Sequence, residues 1–210
     1  MYHITAIIPA LNEEKTIENI IETVKKVDLI DNIIVISDGS TDDTAYIAKK
    51  TGVNVIEFNM NKGKGAAVKS GFEYSETDIV LFLDADLLGL TPKHITNLIL
   101  PIISDEYSMT IGIFTKGRFK TDFAQKITPF LSGQRAIRGD LFKKIPNIDI
   151  SKYGLEMTIT KYFINNDIKF KEIPLNNLTH LVKEEKMGVL NGFKERFRMY
   201  LDISKFLIRS

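Results

Sequence analysis

The 210-residue chain contains no cysteine, which excludes disulfides, cysteine-ligated zinc, iron–sulfur clusters and thiol nucleophiles. Any metal must therefore sit on oxygen or imidazole, and only three histidines are present. Neither charge is in excess: 28 Lys+Arg stand against 27 Asp+Glu, for a net charge of +1. The broad positive field that non-specific nucleic-acid binding needs is missing, so DNA and RNA are not expected partners. No apolar run approaches the roughly 18 residues of a membrane span, and Met1 to Ile8 is not a basic leader followed by a long apolar stretch. A cytoplasmic location is expected. Internal repeats, low-complexity tracts and linkers are also lacking. One domain over 1–210 is expected, with a first half to about residue 90 and a second half after it. Hydrophobic residues at 44% and charged residues at 26% fit an ordinary packed core.

What is present is an alternation. Ile4 to Pro9, Asn32 to Ser37, Val53 to Phe58 and Ile79 to Asp84 are short runs rich in Ile and Val, and they predict buried strands. Between them, Glu13 to Lys26, Asp42 to Lys50 and Lys64 to Tyr74 carry apolar residues at three- and four-residue spacing, and they predict helices. Strand and helix in turn, joined by short connections, predict an α/β fold with a mostly parallel sheet flanked by helices on both faces. Further along, helices are predicted at Thr91 to Ser104, near Asp140 and at Gly154 to Asn165, with strands at Tyr107 to Ile113 and Lys169 to Ile173. The segment Gly188 to Ile208 predicts one amphipathic helix, aromatic and basic.

In such sheets ligands bind at the carboxyl ends of the strands. The polar motifs all fall there: Pro9-Ala10-Leu11-Asn12-Glu13-Glu14, Ser37-Asp38-Gly39-Ser40-Thr41-Asp42-Asp43, Asn61-Lys62-Gly63-Lys64-Gly65 and Asp84-Ala85-Asp86. Two carboxylates one residue apart at a strand end suit a hard divalent cation that bridges phosphates, and without a cation their burial would be costly. Lysines among glycines before a helix suit an anion, since backbone N–H groups and the helix dipole both attract it. The spacing is neither that of a P-loop nor that of a dinucleotide fingerprint. Asn12 and Ser40 or Thr41 have the chemistry of helix N-caps, which leaves Pro9-Ala10 and Asp38 without a capping explanation.

Taken together and in this order, PALNEEKTI, SDGSTDDT, NKGKGAAVKSG and LFLDADL resemble the family 2 type glycosyltransferases of the GT-A (Rossmann-like) fold. The resemblance covers roughly the first 90 residues closely. It implies a nucleotide-sugar donor, UDP- or GDP-hexose, and Mg2+ or Mn2+. Pro9, Ala10, Leu11 and Glu13 would line the nucleoside, Asp38 would meet the base, Lys64 would lie by the base or phosphates, and Asp84-Ala85-Asp86 would be the metal motif. In the second half, Leu131-Ser132-Gly133-Gln134-Arg135-Ala136, Tyr153-Gly154-Leu155-Glu156 and Thr179-His180 look like the branch that holds glucosyl-3-phosphoglycerate synthase and relatives of the dolichyl-phosphate mannosyltransferases. That branch implies His180 as a metal ligand beside Asp86 and Asp84, and Glu156, with Asp84, as the catalytic carboxylates. Gln134-Arg135 departs from the synthase, and the acceptor stays open. Stereochemistry stays open as well, since the synthase retains and the mannosyltransferases invert.

From Lys116 to Lys144 there are eight basic residues and two acidic ones. A clamp for a phosphorylated acceptor or lipid phosphate is expected there, with Arg118, Gly133, Arg135 and Arg138 as the acceptor-binding residues, Arg being apt for bidentate phosphate contacts. The C-terminal segment could pack on the domain, lie at an anionic bilayer as a peripheral contact, or meet a partner. A homodimer is left open. The expected activity is metal-dependent transfer of a hexose from a nucleotide diphosphate sugar. The alternative from another class is a non-catalytic nucleotide-sugar binding module.

Overall fold

The computed structural model describes residues 2–114, 132–148 and 154–181. The first half alternates as the apolar runs require: β1 (Ile4–Ala10), α1 (Ile17–Val24), β2 (Asn32–Asp38), α2 (Thr44–Lys50), β3 (Asn54–Phe58), α3 (Lys64–Tyr74) and β4 (Ile79–Phe82). Then follow the two-residue β5 (Leu87–Leu88), α4 (Pro92–Ile103), β6 (Met109–Phe114), β7 (Arg135–Arg138), the short α5 (Gly139–Phe142), α6 (Leu155–Asn165), β8 (Phe170–Leu175) and β9 (Thr179–His180).

Seven strands form one sheet in the order β3-β2-β1-β4-β7-β6-β8. β1 pairs in parallel with β2 and β4, and β2 with β3. β7 runs antiparallel between β4 and β6, while β6 and β8 are parallel. The sheet is therefore parallel except for β7, a single domain of GT-A type. Side chains alternate across the pleat, and the two apolar layers follow from that alternation. Ile4, Ala6, Ile8, Ile79 and Leu81 pack with α1 and α4 on one face. Ile7, Val80, Phe82, Met109 and Ile137 pack with α3, α5 and α6 on the other. A sheet buried on both sides is why the strands read as continuous Ile/Val runs.

The helix starts differ from the expectation. α1 begins at Ile17 after Thr16, and α2 at Thr44 after Asp43. Asn12, Ser40 and Thr41 cap neither helix. They brace one loop against the other instead. Asn12 has a left-handed backbone (φ 54°); its Oδ1 accepts from the Thr41 N–H at 2.8 Å, and its own N–H donates to Ser40 Oγ at 3.1 Å. The Glu13 N–H donates to Thr44 Oγ1 at 2.8 Å, and the Asp43 N–H donates to Glu14 Oε2 at 3.2 Å. The polar residues after β1 and β2 thus tie together the two loops that form one wall of the site.

Among the described residues no helix is long and apolar enough to cross a membrane. Arg118 and the basic residues Lys116, Lys120 and Lys126 lie outside the described residues, as do Leu131, Tyr153 and the predicted C-terminal helix, Gly188 to Ile208.

Candidate functional site

The carboxyl ends of β1, β2 and β4 and the start of α3 border a cleft of about 360 Å3, at the lower end of the range of about 300–1,000 Å3 for small-ligand sites. Its lining contains every residue expected for the donor: Pro9, Ala10, Leu11, Glu13, Asp38, Lys64, Asp84 and Ala85, together with Asp86 and His180. Asn61 and Gly63 join them. Asp38 is buried, and its two carboxylate oxygens accept from the N–H groups of Lys62 at 2.7 Å and Gly63 at 2.9 Å. The carboxylate thereby folds the glycine–lysine loop over the end of β2. Gly63, at φ 91°, supplies the positive φ that lets the chain enter α3 with Lys64 as its first residue.

Asp84 and Asp86 converge by a route other than the pleat. β4 ends at Phe82, and both aspartates stand in the connection to β5, Asp84 just before a turn and Asp86 within it. β5 pairs with β9 so that Leu87 lies opposite His180, and the Leu181 N–H closes on the Asp86 carbonyl at 2.8 Å. That ribbon carries a residue from the far end of the chain onto the aspartate turn. One ligand atom each from Asp84, Asp86 and His180 lies within 4.8 Å of the others. Two carboxylates and an imidazole at that spacing are a donor set that fits a hard or borderline divalent cation. His180 Nδ1 is 2.9 Å from Asp86 Oδ1. This hydrogen bond raises the imidazole pKa against burial, with the Asp86 and Asp84 charges adding to the rise.

Behind the aspartates lies a cluster of ions. Lys64 Nζ donates at 2.5 Å to Asp84 Oδ1 and at 2.5 Å to Glu156 Oε1. Burial alone would lower the Lys64 pKa, but the two carboxylates outweigh it and hold the ammonium well above its ordinary value. Asp84 shows the reverse. Burial raises its pKa, and the Lys64 charge and hydrogen bond overcome this, with help from His180 and Gln134, to bring it below the usual carboxylate range. Gln134 Nε2 donates to Asp84 Oδ2 at 2.7 Å, so Asp84 has a partner on each oxygen. Gly133 passes so close that a Cβ there would lie 2.5 Å from Lys64 Nζ and closer still to Asp84 Oδ2. Glu156 stands in the first turn of α6, after Gly154 at φ 85°.

The acceptor clamp needs correction. Arg135 and Arg138 do not form one basic surface at the cleft. Arg135 is 1% exposed, a core residue of the α6 face. Arg138 lies three residues further along β7, about 10 Å away along a strand, opposite Ile79 at the start of β4. There it pairs with Asp140 at 3.0 Å and Asp105 at 3.6 Å. The reason is that β7 runs antiparallel to β4, which puts Arg135 beside Phe82 at the site and Arg138 at the opposite sheet edge. Gln134 was not singled out from the sequence as a site residue. Its signal was its place between Gly133 and Arg135 in a polar segment.

A nearly all-parallel sheet whose carboxyl edge presents two aspartates and a histidine beside a polar cleft defines a GT-A glycosyltransferase. Residues 5–173 match the model of Glycosyl transferase family 2, and the chain belongs to that family. It is similar to an uncharacterised protein of Methanocaldococcus jannaschii, 28% identical over 223 residues and covering 94% of this chain and 91% of the relative. It is also similar to glucosyl-3-phosphoglycerate synthase of Mycobacterium tuberculosis, 36% identical over 112 residues. That stretch is 49% of this chain and 35% of the synthase, so the sequence match spans about a third of that enzyme. The crystal structure of the same synthase with Mn2+, UDP-glucose and phosphoglyceric acid superposes with a TM-score of 0.77 at 25% identity, covering 96% of this chain and 79% of that chain.

Proposed function

We propose that this glycosyltransferase moves a hexose from a uridine or guanosine diphosphate sugar to a phosphorylated small acceptor, with Mn2+ or Mg2+ at Asp86, His180 and Asp84. The observation that carries the reading is the convergence of those three side chains at the mouth of the cleft lined by Pro9, Ala10, Leu11, Glu13 and Asp38. The nucleoside would lie along the β1 and β2 ends, with Asp38 at the base, and the diphosphate would point to the aspartate turn. The cation, when bound, supplies Lewis-acid stabilisation of the departing diphosphate.

The chain's own residues do the rest. Lys64 places a fixed positive charge where negative charge develops on the leaving group, in a partly dry site where such a charge acts strongly. Asp84, held by Lys64 and Gln134, orients the donor sugar or its ribose. Glu156 faces the acceptor from α6 and fixes or deprotonates its hydroxyl. Gly133 lets the backbone close on the Lys64–Asp84 pair and hold it in place, since no side chain fits between them. The phosphorylated acceptor is supported by the phosphoglyceric acid bound to the similar synthase.

The test is a transfer assay with radiolabelled UDP- and GDP-hexoses and Mn2+, offering phosphoglycerate, polyprenyl phosphate and diacylglycerol. Labelled product with phosphoglycerate supports the reading. Product with polyprenyl phosphate moves it to a lipid phosphate at a membrane surface. No product with any pair, alongside metal-dependent nucleotide binding, favours the non-catalytic module.

A further inference from the structure

Among the described residues Arg135 is the bulkiest of the fully buried side chains. Position 135 shares its strand face with Ile137, which lies in the layer containing Met109, Phe82 and the apolar residues of α6. A guanidinium in such a layer is costly unless it is paired and hydrogen-bonded. Here Nε donates to the Ser132 carbonyl at 2.8 Å and Nη1 donates to Thr160 Oγ1 at 2.7 Å. Burial pushes the Arg135 pKa down to about 10, against the pull of the Glu156 and Asp84 charges, so the group is still a cation at neutral pH.

These two bonds lead toward the Lys64–Asp84–Glu156 cluster. On one side, the Ser132 carbonyl anchors the segment in which Gly133 abuts Lys64 and Asp84 and Gln134 donates to Asp84 Oδ2. On the other, the Thr160 hydroxyl that receives Nη1 donates to the Glu156 carbonyl at 2.8 Å, one turn back along α6. The rigid fork of an arginine can span two such targets while carrying the charge, and a lysine carries the charge alone. With Lys64, Arg135 sets two cations against the two carboxylates Asp84 and Glu156. At 1% exposure it is out of an acceptor's reach.

We propose that Arg135 is a positioning residue for the transfer reaction, holding Asp84 through the Ser132–Gln134 segment and Glu156 through Thr160, with no contact to the acceptor. This rests on the reading that Asp84 and Glu156 face donor and acceptor. The experiment compares Arg135→Met, Arg135→Lys and wild type in the transfer assay and in thermal melting, with a double-mutant cycle of Arg135→Met and Glu156→Gln. The expected result for Arg135→Met is a kcat lowered on the order of 10- to 100-fold, as for a sub-ångström to ångström misplacement. Both KM values stay within about threefold of wild type. Arg135→Lys recovers part of kcat, because charge returns without the fork.

In melting, the double variant lies about 2–4 °C above the sum of the single effects, because each single change already removes the attraction between Arg135 and Glu156 and the double variant loses it only once. A raised acceptor KM with unchanged kcat would overturn the proposal, as would additive melting temperatures. If wild-type chain transfers no sugar, the transfer reading fails by itself. The melting cycle then still decides whether Arg135 and Glu156 are coupled.

Discussion

Lys64 and Glu156 stand 92 residues apart in sequence and 2.5 Å apart in space. The same ammonium reaches Asp84 at 2.5 Å, so one side chain from the first turn of α3 joins the aspartate pair after β4 to the first turn of α6.

Replacing that cation should show in both stability and rate. Lys64→Met leaves Asp84 and Glu156 facing each other without it. A destabilisation of about 1–3 kcal/mol is expected, the partial exposure of Lys64 keeping it below that of a fully buried pair. Transfer should fall on the order of 100- to 1,000-fold, as for other preorganised charge stabilisers. Urea unfolding and steady-state kinetics check the two halves; wild-type turnover in Lys64→Met would remove Lys64 from the chemistry.

Gly133 carries a steric prediction. The Cβ of Gly133→Ala would meet Lys64 Nζ at 2.5 Å and crowd Asp84, so the ion pair must shift. Overpacking of this kind costs about 1–3 kcal/mol. Loss of kcat should exceed loss of nucleotide affinity, since Gly133 is not among the residues lining the cleft. Equal loss of both would mean that the whole cleft had moved.

The Asn12 brace separates backbone from side chain. Asn12→Ala removes the bond to the Thr41 N–H and leaves a β-carbon at φ 54°. A destabilisation of about 1–3 kcal/mol is expected. Asn12→Gly loses the same bond but tolerates the angle, and it should be more stable than Asn12→Ala by about 1 kcal/mol. Urea unfolding of the pair reads the difference, and equal stabilities would mean that the angle is not under strain.

The parallel half and the cleft at its carboxyl edge were legible in the sequence because both follow from local patterns: buried Ile/Val strands, and polar residues at the strand ends. Elements set by long-range pairing were not. β7 spells Arg-Ala-Ile-Arg, which reads as basic surface, and only its antiparallel place between β4 and β6 sends one arginine into the core and the other to the far edge. Asn12, Ser40 and Thr41 have cap chemistry, and the adjacency of two loops gave their hydrogen bonds other partners. The pairing of Asp84 with Asp86 was visible in their spacing, but not the β5–β9 ribbon that brings in His180, because that ribbon joins segments far apart in sequence.

The central claim, a cation site at Asp84, Asp86 and His180 that holds a nucleotide sugar, is tested most directly by calorimetric titration of UDP- and GDP-glucose. The titration is run into wild-type chain with Mn2+, into wild-type chain with chelator, and into Asp86→Ala with Mn2+. Binding of one of the two donors in the first case and its loss, by about 100-fold or more, in the other two is the predicted result. Equal affinity in all three would contradict it.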